Sequence, residues 1–283
     1  MLLVELVAAH ATVRATRSRK AKVAALADVL RRAASESPDE VHIAAAYLAG
    51  ALRQRRTGLG WRGLTDLPPA ATTRSLGIAE VDTLFDDIAA VAGVGSKARR
   101  EDLARDLFGR ATSDEQAYLR GLVSGELRQG ALDALVLDAV AAAADVPAAT
   151  VRRAAMMAGA MPPVAVAALT EGLTGLAGFT LQVGRPVRPM LASSAPDLDA
   201  ALTGFPTGQV AVDCKLDGIR VQVHRDGPSV RVFTRSLEEI TDRLAALAPA
   251  QLVVPRTVTD DPSAIREFFD SVLAQGHEGV VLK

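Results

Sequence analysis

Up to about Gly178, apolar residues recur every three or four positions. Val23, Leu26, Leu30 and Ala33 share one stripe, with Lys22, Arg31 and Arg32 off it. Leu103, Leu107 and Ala111 repeat that spacing, and Leu132, Leu135, Val136, Ala139, Val140 and Ala143 make a third apolar face. Such stripes are the buried sides of amphipathic helices. Proline and glycine interrupt them at Ser35-Glu-Ser-Pro38, Leu67-Pro-Pro69, Gly93-Val-Gly95-Ser96 and Pro162-Pro163. The spacing predicts an all-α domain over residues 1–178. From Val183 the period shortens to two. Val210 and Val212 flank Ala211, Ile219, Val221 and Val223 alternate with Arg220, Gln222 and His224, Asp226-Gly227 makes a turn, and Val230, Val232 and Phe233 resume the apolar pattern. Pro262 to Gly276 reads as a capped helix whose core stripe includes Ile265, Phe268, Phe269 and Val272. Residues 183–283 are therefore expected to form an α+β domain, which makes the chain multidomain, α followed by α+β.

The helical part repeats itself. Lys22 to Arg32 matches Arg99 to Gly109 at an offset of 77, both leucines in register, and Ala49-Gly50-Ala-Leu52-Arg53-Gln54 matches Ser124-Gly125-Glu-Leu127-Arg128-Gln129 at an offset of 75. Two ordered matches at nearly one offset point to a duplicated helical unit. Helix ends and glycine turns present backbone N–H groups, and an arginine beside them suits phosphate better than base edges. The same residues also fit packing glycines and solvated arginines. The basic run Arg14, Arg17, Arg19, Lys20 and Lys22 cannot all share one helix face, so part of it is solvated. Trp61 is expected as a core anchor.

Composition narrows the class. With 283 residues, 49% hydrophobic and 23% charged, the chain can bury two cores and is not a disordered polymer. A single cysteine, Cys214, excludes an internal disulfide framework and fits a reducing cytoplasm. No apolar run reaches membrane-spanning length. Glu5 interrupts the apolar N-terminus and no basic region precedes it, so no signal peptide is expected. The formal net charge of −1 speaks neither for nor against nucleic acid.

Lys215 is the candidate for chemistry. It stands where a predicted strand ends, before the Gly218 bend that feeds the hairpin. A free amine in such a place is a nucleophile once cationic neighbours or a dry pocket lower its affinity for a proton. Arg220 is one such neighbour, and Asp217 is placed to orient the amine or hold a sugar hydroxyl. A strand-end lysine beside a solvated Asp-Gly turn is the plainer alternative.

The string Lys215-x-Asp217-Gly218-x-Arg220 resembles the nucleotidyl-transfer motif of the covalent nucleotidyltransferases, which include ATP-dependent DNA ligases, RNA ligases and mRNA capping enzymes. Gly184-Arg-Pro-Val-Arg-Pro-Met-Leu-Ala192 looks like the opening segment of the DNA ligases. Thr234-Arg235-Ser236 with Thr241 resembles their next motif, and Glu278-Gly-Val-Val-Leu-Lys283 their later E-G-V-x-x-K. In the second helical repeat, Gly125-x-Leu127-Arg128-x-Gly130 is similar to a signature of their DNA-binding domain. In that order these motifs resemble an ATP-dependent DNA ligase of bacterial type. The resemblance implies a lysyl-AMP at Lys215, nucleotide contacts from Asp213, Arg220 and Arg235, a metal ligand in Glu278, and ATP and Mg²⁺ as cofactors. It implies that Arg53, Gly125, Arg128 and Gly130 contact nicked double-stranded DNA, in a monomer serving DNA replication, repair and recombination. Asp213 stands where these ligases carry glutamate to read the adenine amine, one methylene shorter. Beyond Arg243 the likeness breaks: no Asp-Gly-Glu occurs anywhere, and Leu244-Ala-Ala-Leu resembles a much later segment of the family pattern. The chain also ends at Lys283, before the family's tryptophan-lysine motif and third domain, so the second domain is expected to be partial. Two rivals stay open, an RNA ligase or capping enzyme and a non-catalytic DNA-binding fragment.

Overall fold

The computed structural model describes residues 1–54, 57–60, 64, 66–127, 130–190, 192–205, 208–215, 218–244 and 255–282. Two compact units divide the chain, Met1–Arg185 and Pro186–Lys283.

Nine helices make up the first unit among the described residues: α1 Leu3–Ala15, α2 Arg19–Glu36, α3 Pro38–Leu48, α4 Ile78–Ala90, α5 Ser96–Arg110, α6 Ser113–Ser124, α7 Gly130–Ala144, α8 Ala148–Ala158 and α9 Pro162–Ala177. Local chemistry sets their ends. Ser18 accepts from the Ala21 N–H at 3.3 Å to cap α2, and Ser37 accepts from the Glu40 N–H at 3.2 Å to cap α3. Ser37 is the whole break between α2 and α3, because Pro38 fits the first helical position, where no N–H is needed. Pro162 and Pro163 likewise open α9. Helix α2 packs on α7 and α3, α3 on α9 and α4, and α1 on α2 and α6. Leu26, Leu30, Tyr47, Phe85, Leu107 and Phe108 are sealed in the common core, each burial contributing about 1.5–3 kcal/mol. Val23 and Leu103, on the predicted stripes, pack against its margin.

The repeat has a structural counterpart in two helix pairs, α2–α3 and α5–α6. Helix α3 follows the cap Ser37-Pro-Asp-Glu40 and α6 the cap Thr112-Ser-Asp-Glu115. In the second, Glu115 accepts from the Thr112 N–H at 2.9 Å and its hydroxyl at 2.8 Å, a capping box. Both helices stop at a left-handed glycine, Gly50 (φ 72°) and Gly125 (φ 74°), a conformation that strains any residue carrying a Cβ.

The second unit holds α10 Leu198–Thr203, β1 Val210–Cys214, β2 Val221–Asp226, β3 Ser229–Thr234, α11 Thr241–Leu244, β4 Arg256–Thr259, α12 Pro262–Ala274 and β5 Val280–Leu282. Strand β1 is the middle of an antiparallel sheet ordered β4-β1-β5. One face, Val210 and Val212, packs on Ile265 of α12 with Phe205, Phe268 and Leu282 around it. Asp261 caps α12, accepting from the Ser263 N–H at 2.9 Å.

Strands β2 and β3 form a separate two-stranded sheet. The alternation through Ile219, Val221 and Val223 predicts a half-buried strand, yet Ile219 lies outside β2 at 74% exposure and Val223 is 63% exposed. A hairpin that does not join the larger sheet has less apolar surface to bury against, and among the described residues that side is uncovered. Phe233 and Val232 supply its buried positions.

Candidate functional site

Lys215 follows the last residue of β1. Val212 and Cys214 face the small core, so the alternation of the strand turns Asp213 and Lys215 to the opposite, accessible face. The backbone fixes the lysine: its N–H donates to the Gly279 carbonyl at 2.8 Å, just ahead of β5, and the Cys214 N–H donates to the Pro255 carbonyl at 3.1 Å, just ahead of β4. Gly279 (φ 147°) lets that turn approach β1 closely. Across it, the Lys215 ammonium forms an ion pair with Glu278, both side chains about half exposed, at 49% and 52%. A lysine ammonium and a carboxylate, 63 positions apart in the chain, thus meet at one sheet end.

Asp213 is engaged as well. Arg256, its cross-strand partner on β4, donates from Nε to Oδ1 at 2.6 Å and from Nη2 to Oδ2 at 3.3 Å. Hydrogen bonding to Asp213 raises the pKa of the Arg256 guanidinium further. Nothing in the local sequence flags Arg256; strand register alone brings it to the site.

The other expected nucleotide residues sit on or beside the hairpin. Arg220 donates from Nη1 to the Met190 carbonyl at 3.2 Å, and Gln222 grips Val187 at both its N–H (3.0 Å) and its carbonyl (2.7 Å). These bonds stitch the segment before α10 to β2. Arg235, past the end of β3, is exposed and has no hydrogen bond or ion pair among the described residues. Thr241 accepts from the Val232 N–H at 3.0 Å, and Arg231 forks onto Glu239 at 2.7 and 3.1 Å, folding the Thr-Arg-Ser turn back on β3. The concavity lined by Glu239, Ile240, Thr241, Asp242 and Arg243 contains neither Lys215 nor Glu278. Asp217, Leu216 and Lys283 lie outside the described residues. No group of three or more His, Cys, Asp or Glu residues is arranged as a metal site among the described residues.

In the first unit, Gly125 ends α6 and Leu127 folds back, its N–H donating to the Gly121 carbonyl at 3.3 Å. Gly130 opens α7, so the G-x-L-R-x-G string is the α6–α7 connection. Arg128 and Trp61 lie outside the described residues. Arg53, the counterpart of Arg128, donates from Nε to the buried Asp82 at 2.8 Å and also pairs with Asp86, both on α4. Gln54 donates to Asp86 at 2.9 Å, and the Tyr47 hydroxyl faces Asp82 at 3.4 Å. Burial first, then the negative Asp82, pushes the Tyr47 hydroxyl well above its ordinary pKa. The Arg53 charge is thus balanced inside the fold. The readable sign was the i, i+4 pair Asp82 and Asp86, whose carboxylates share one helix face.

Comparison with known proteins follows the same division. A family model described as "DNA ligase N terminus" matches residues 64–141, and one described as "ATP dependent DNA ligase domain" matches residues 189–254. A probable DNA ligase of Beutenbergia cavernae is 60% identical over 262 residues, covering 90% of this chain and 51% of that protein. One from a Nocardioides species is 58% identical, with 90% and 50% covered. That of Kineococcus radiotolerans is 45% identical, with all of this chain and 71% of the relative covered. The chain spans about half the length of the first two relatives. The Kineococcus alignment runs over 358 positions against 283 residues here, so part of the relative faces gaps in this chain.

Proposed function

The chain belongs to the ATP-dependent DNA ligase family, and we propose that its second unit forms a lysyl-AMP on Lys215 while its first unit grips the backbone of nicked duplex DNA. The observation that carries this is the end of β1, where Lys215 and Glu278 meet on the open face of the sheet. In the proposed step the Lys215 nitrogen, having lost its proton, attacks the α-phosphorus of ATP. A P–N bond forms, the bond from that phosphorus to the bridging oxygen breaks, and pyrophosphate leaves. The AMP then passes to the 5′-phosphate at the nick, from which the 3′-hydroxyl displaces it.

Glu278 fits a divalent cation in a limited way. Mg²⁺ is commonly held by one or two carboxylates plus substrate phosphates, and Glu278 is one carboxylate beside the position a triphosphate would take. When bound, the ion supplies positive charge against the phosphate oxygens. Until then the Glu278 carboxylate holds the lysine ammonium at the sheet end. Arg220 and Arg235 are assigned to ribose and phosphate; the exposure of Arg235 supports that role. For DNA we assign the α6–α7 connection, Gly125, Arg128 and Gly130, to the phosphate backbone, with Arg53 bracing the equivalent turn. The single cysteine supports a place in a reducing cytoplasm. The gaps against the Kineococcus relative favour one second reading, a DNA-binding protein whose nucleotide site no longer completes turnover.

Intact mass after incubation with ATP and Mg²⁺ tests the first reading. One added AMP is expected, lost in Lys215→Ala and kept in Lys283→Ala. An adduct that survives Lys215→Ala would sink the assignment.

A further inference from the structure

Between Pro186 and Pro189 only Val187 and Arg188 carry a backbone N–H, so this stretch cannot pair as an ordinary strand. One side chain does the pairing instead. The Gln222 amide accepts from the Val187 N–H at 3.0 Å and donates to the Val187 carbonyl at 2.7 Å. A residue in extended conformation exchanges both of its main-chain groups with one partner across a ladder. The edge of a primary amide offers the same acceptor and donor side by side. These two bonds also settle which amide atom is oxygen, because only Oε1 can accept from an N–H. Gln222 thus replaces one residue of a neighbouring strand.

The segment it fastens holds an arginine in turn. Two positions before Gln222, Arg220 points to the same side of the extended chain. It donates from Nη1 to the carbonyl of Met190, three residues past Val187, at 3.2 Å. Among the described residues that carbonyl is the one partner of the Arg220 guanidinium. The choice of atom matters. Arg231 and Arg256 both grip their carboxylates with the edge formed by Nε and Nη2. Arg220 spends Nη1 on Met190 and keeps that edge open, and its two parallel donors match two oxygens of a phosphate.

We propose that Gln222 is a positioning residue of the nucleotide site: by fastening Val187 it holds the Met190 carbonyl, which presets the Arg220 guanidinium with its Nε–Nη2 edge free for phosphate. This rests on reading Arg220 as a nucleotide contact. Gln222 itself touches no nucleotide. Its contribution is the rotamer freedom that Arg220 has already given up when ATP arrives. Immobilising one long side chain in advance is worth about three- to tenfold in affinity.

The test measures ATP binding to the full chain by calorimetry, thermal unfolding, and NMR relaxation of the Arg220 Nε–H group. Gln222→Met keeps the length of the side chain and loses both bonds. It should weaken ATP roughly three- to tenfold and leave the Arg220 Nε–H more mobile. Gln222→Glu has the same shape, loses the bond to the Val187 carbonyl and should behave likewise, which covers a Met variant that fails to fold. Arg220→Ala should weaken ATP roughly ten- to hundredfold, the range of one hydrogen bond to a charged group. In that background Gln222→Met should cost no further affinity, although it lowers the unfolding temperature as much as in wild type. Equal losses in both backgrounds would make Gln222 a fastener of the segment alone and overturn the proposal. So would an Arg220 Nε–H as ordered in Gln222→Met as in wild type. If Arg220→Ala leaves ATP binding unchanged, the nucleotide role of Arg220 falls and the proposal with it, while the AMP adduct on Lys215 stands. A wild-type chain that neither binds ATP nor forms the adduct removes both the proposal and the function beneath it.

Discussion

At the scale of single residues, the two arginines of the duplicated turns are expected to divide two tasks. Arg53 neutralises Asp82, which is buried, and Asp86, which is half exposed. Truncating it strands a buried carboxylate, and Arg53→Ala should destabilise the first unit by about 2–4 kcal/mol, less than a fully buried pair because the arginine is 40% exposed. Arg128→Ala should leave stability alone, weaken binding to all duplexes alike and lower the salt slope by about one. Urea unfolding and DNA titration at several salt concentrations separate the two. An Arg53→Ala protein of unchanged stability and reduced DNA affinity would reverse the division. The sequence could show that Arg53 and Arg128 are equivalent by position. It could not show that one of them faces carboxylates 29 and 33 positions away, because that depends on how α3 meets α4. Lys215 was legible for the opposite reason: the residues that mark it are contiguous. Glu278 was legible only through the likeness of its own motif, and Arg256 through neither route.

Among elements, the helices were read better than the strands. The stripes of α2, α5 and α7 follow from spacing within one segment, and Leu26, Leu107 and Val136 are buried as their positions require. The hairpin was also legible from Asp226-Gly227 and the alternation on either side. Which sheet it joins was not, because strand neighbours are set by long-range pairing; hence the exposed Ile219 and Val223. One helix contact offers a further prediction. Asp138 on α7 accepts from Arg19 at the start of α2, at 2.6 Å, and from Arg152 on α8. Partial burial alone would raise its pKa, but the hydrogen bonds from Arg19 and then Arg152 outweigh that and hold the carboxyl below its ordinary value. A depressed carboxyl stabilises the fold above its unfolded pKa and loses that contribution as pH falls through its folded one. Asp138→Asn should therefore lower stability near pH 7 by about 1 kcal/mol, about 2–4 °C in Tm for a unit of this size. The gap to wild type should close as pH falls below about 4. Thermal unfolding of both proteins across that range checks it, and a gap that stays constant with pH would refute the linkage.

For the whole molecule, the gaps against the Kineococcus relative and the lack of any Asp-Gly-Glu bear on turnover. Removing even one preorganised contact to a transition state commonly lowers a rate by about 10²–10³. The chain is expected to bind a nicked duplex but to seal it far more slowly than roughly one event per second, a rate ordinary for enzymes. A gel assay with ATP and Mg²⁺ reads this directly, and sealing at that rate or faster would show the segment to be dispensable. Interpreting such assays requires knowing how the strand that carries the lysine is assembled. Both neighbours of β1 lie far downstream, Arg256 43 positions after its partner Asp213 and Leu282 near the end of the chain. The helical unit, by contrast, forms several of its contacts between adjoining segments. Long loops must close before β1 gains either neighbour, and pairings of that kind form slowly because entropy is lost before any contact repays it. The amine can meet its carboxylate only in molecules where β5 has closed onto β1. In a preparation that is partly refolded, the AMP-labelled fraction therefore also counts the chains whose sheet has closed.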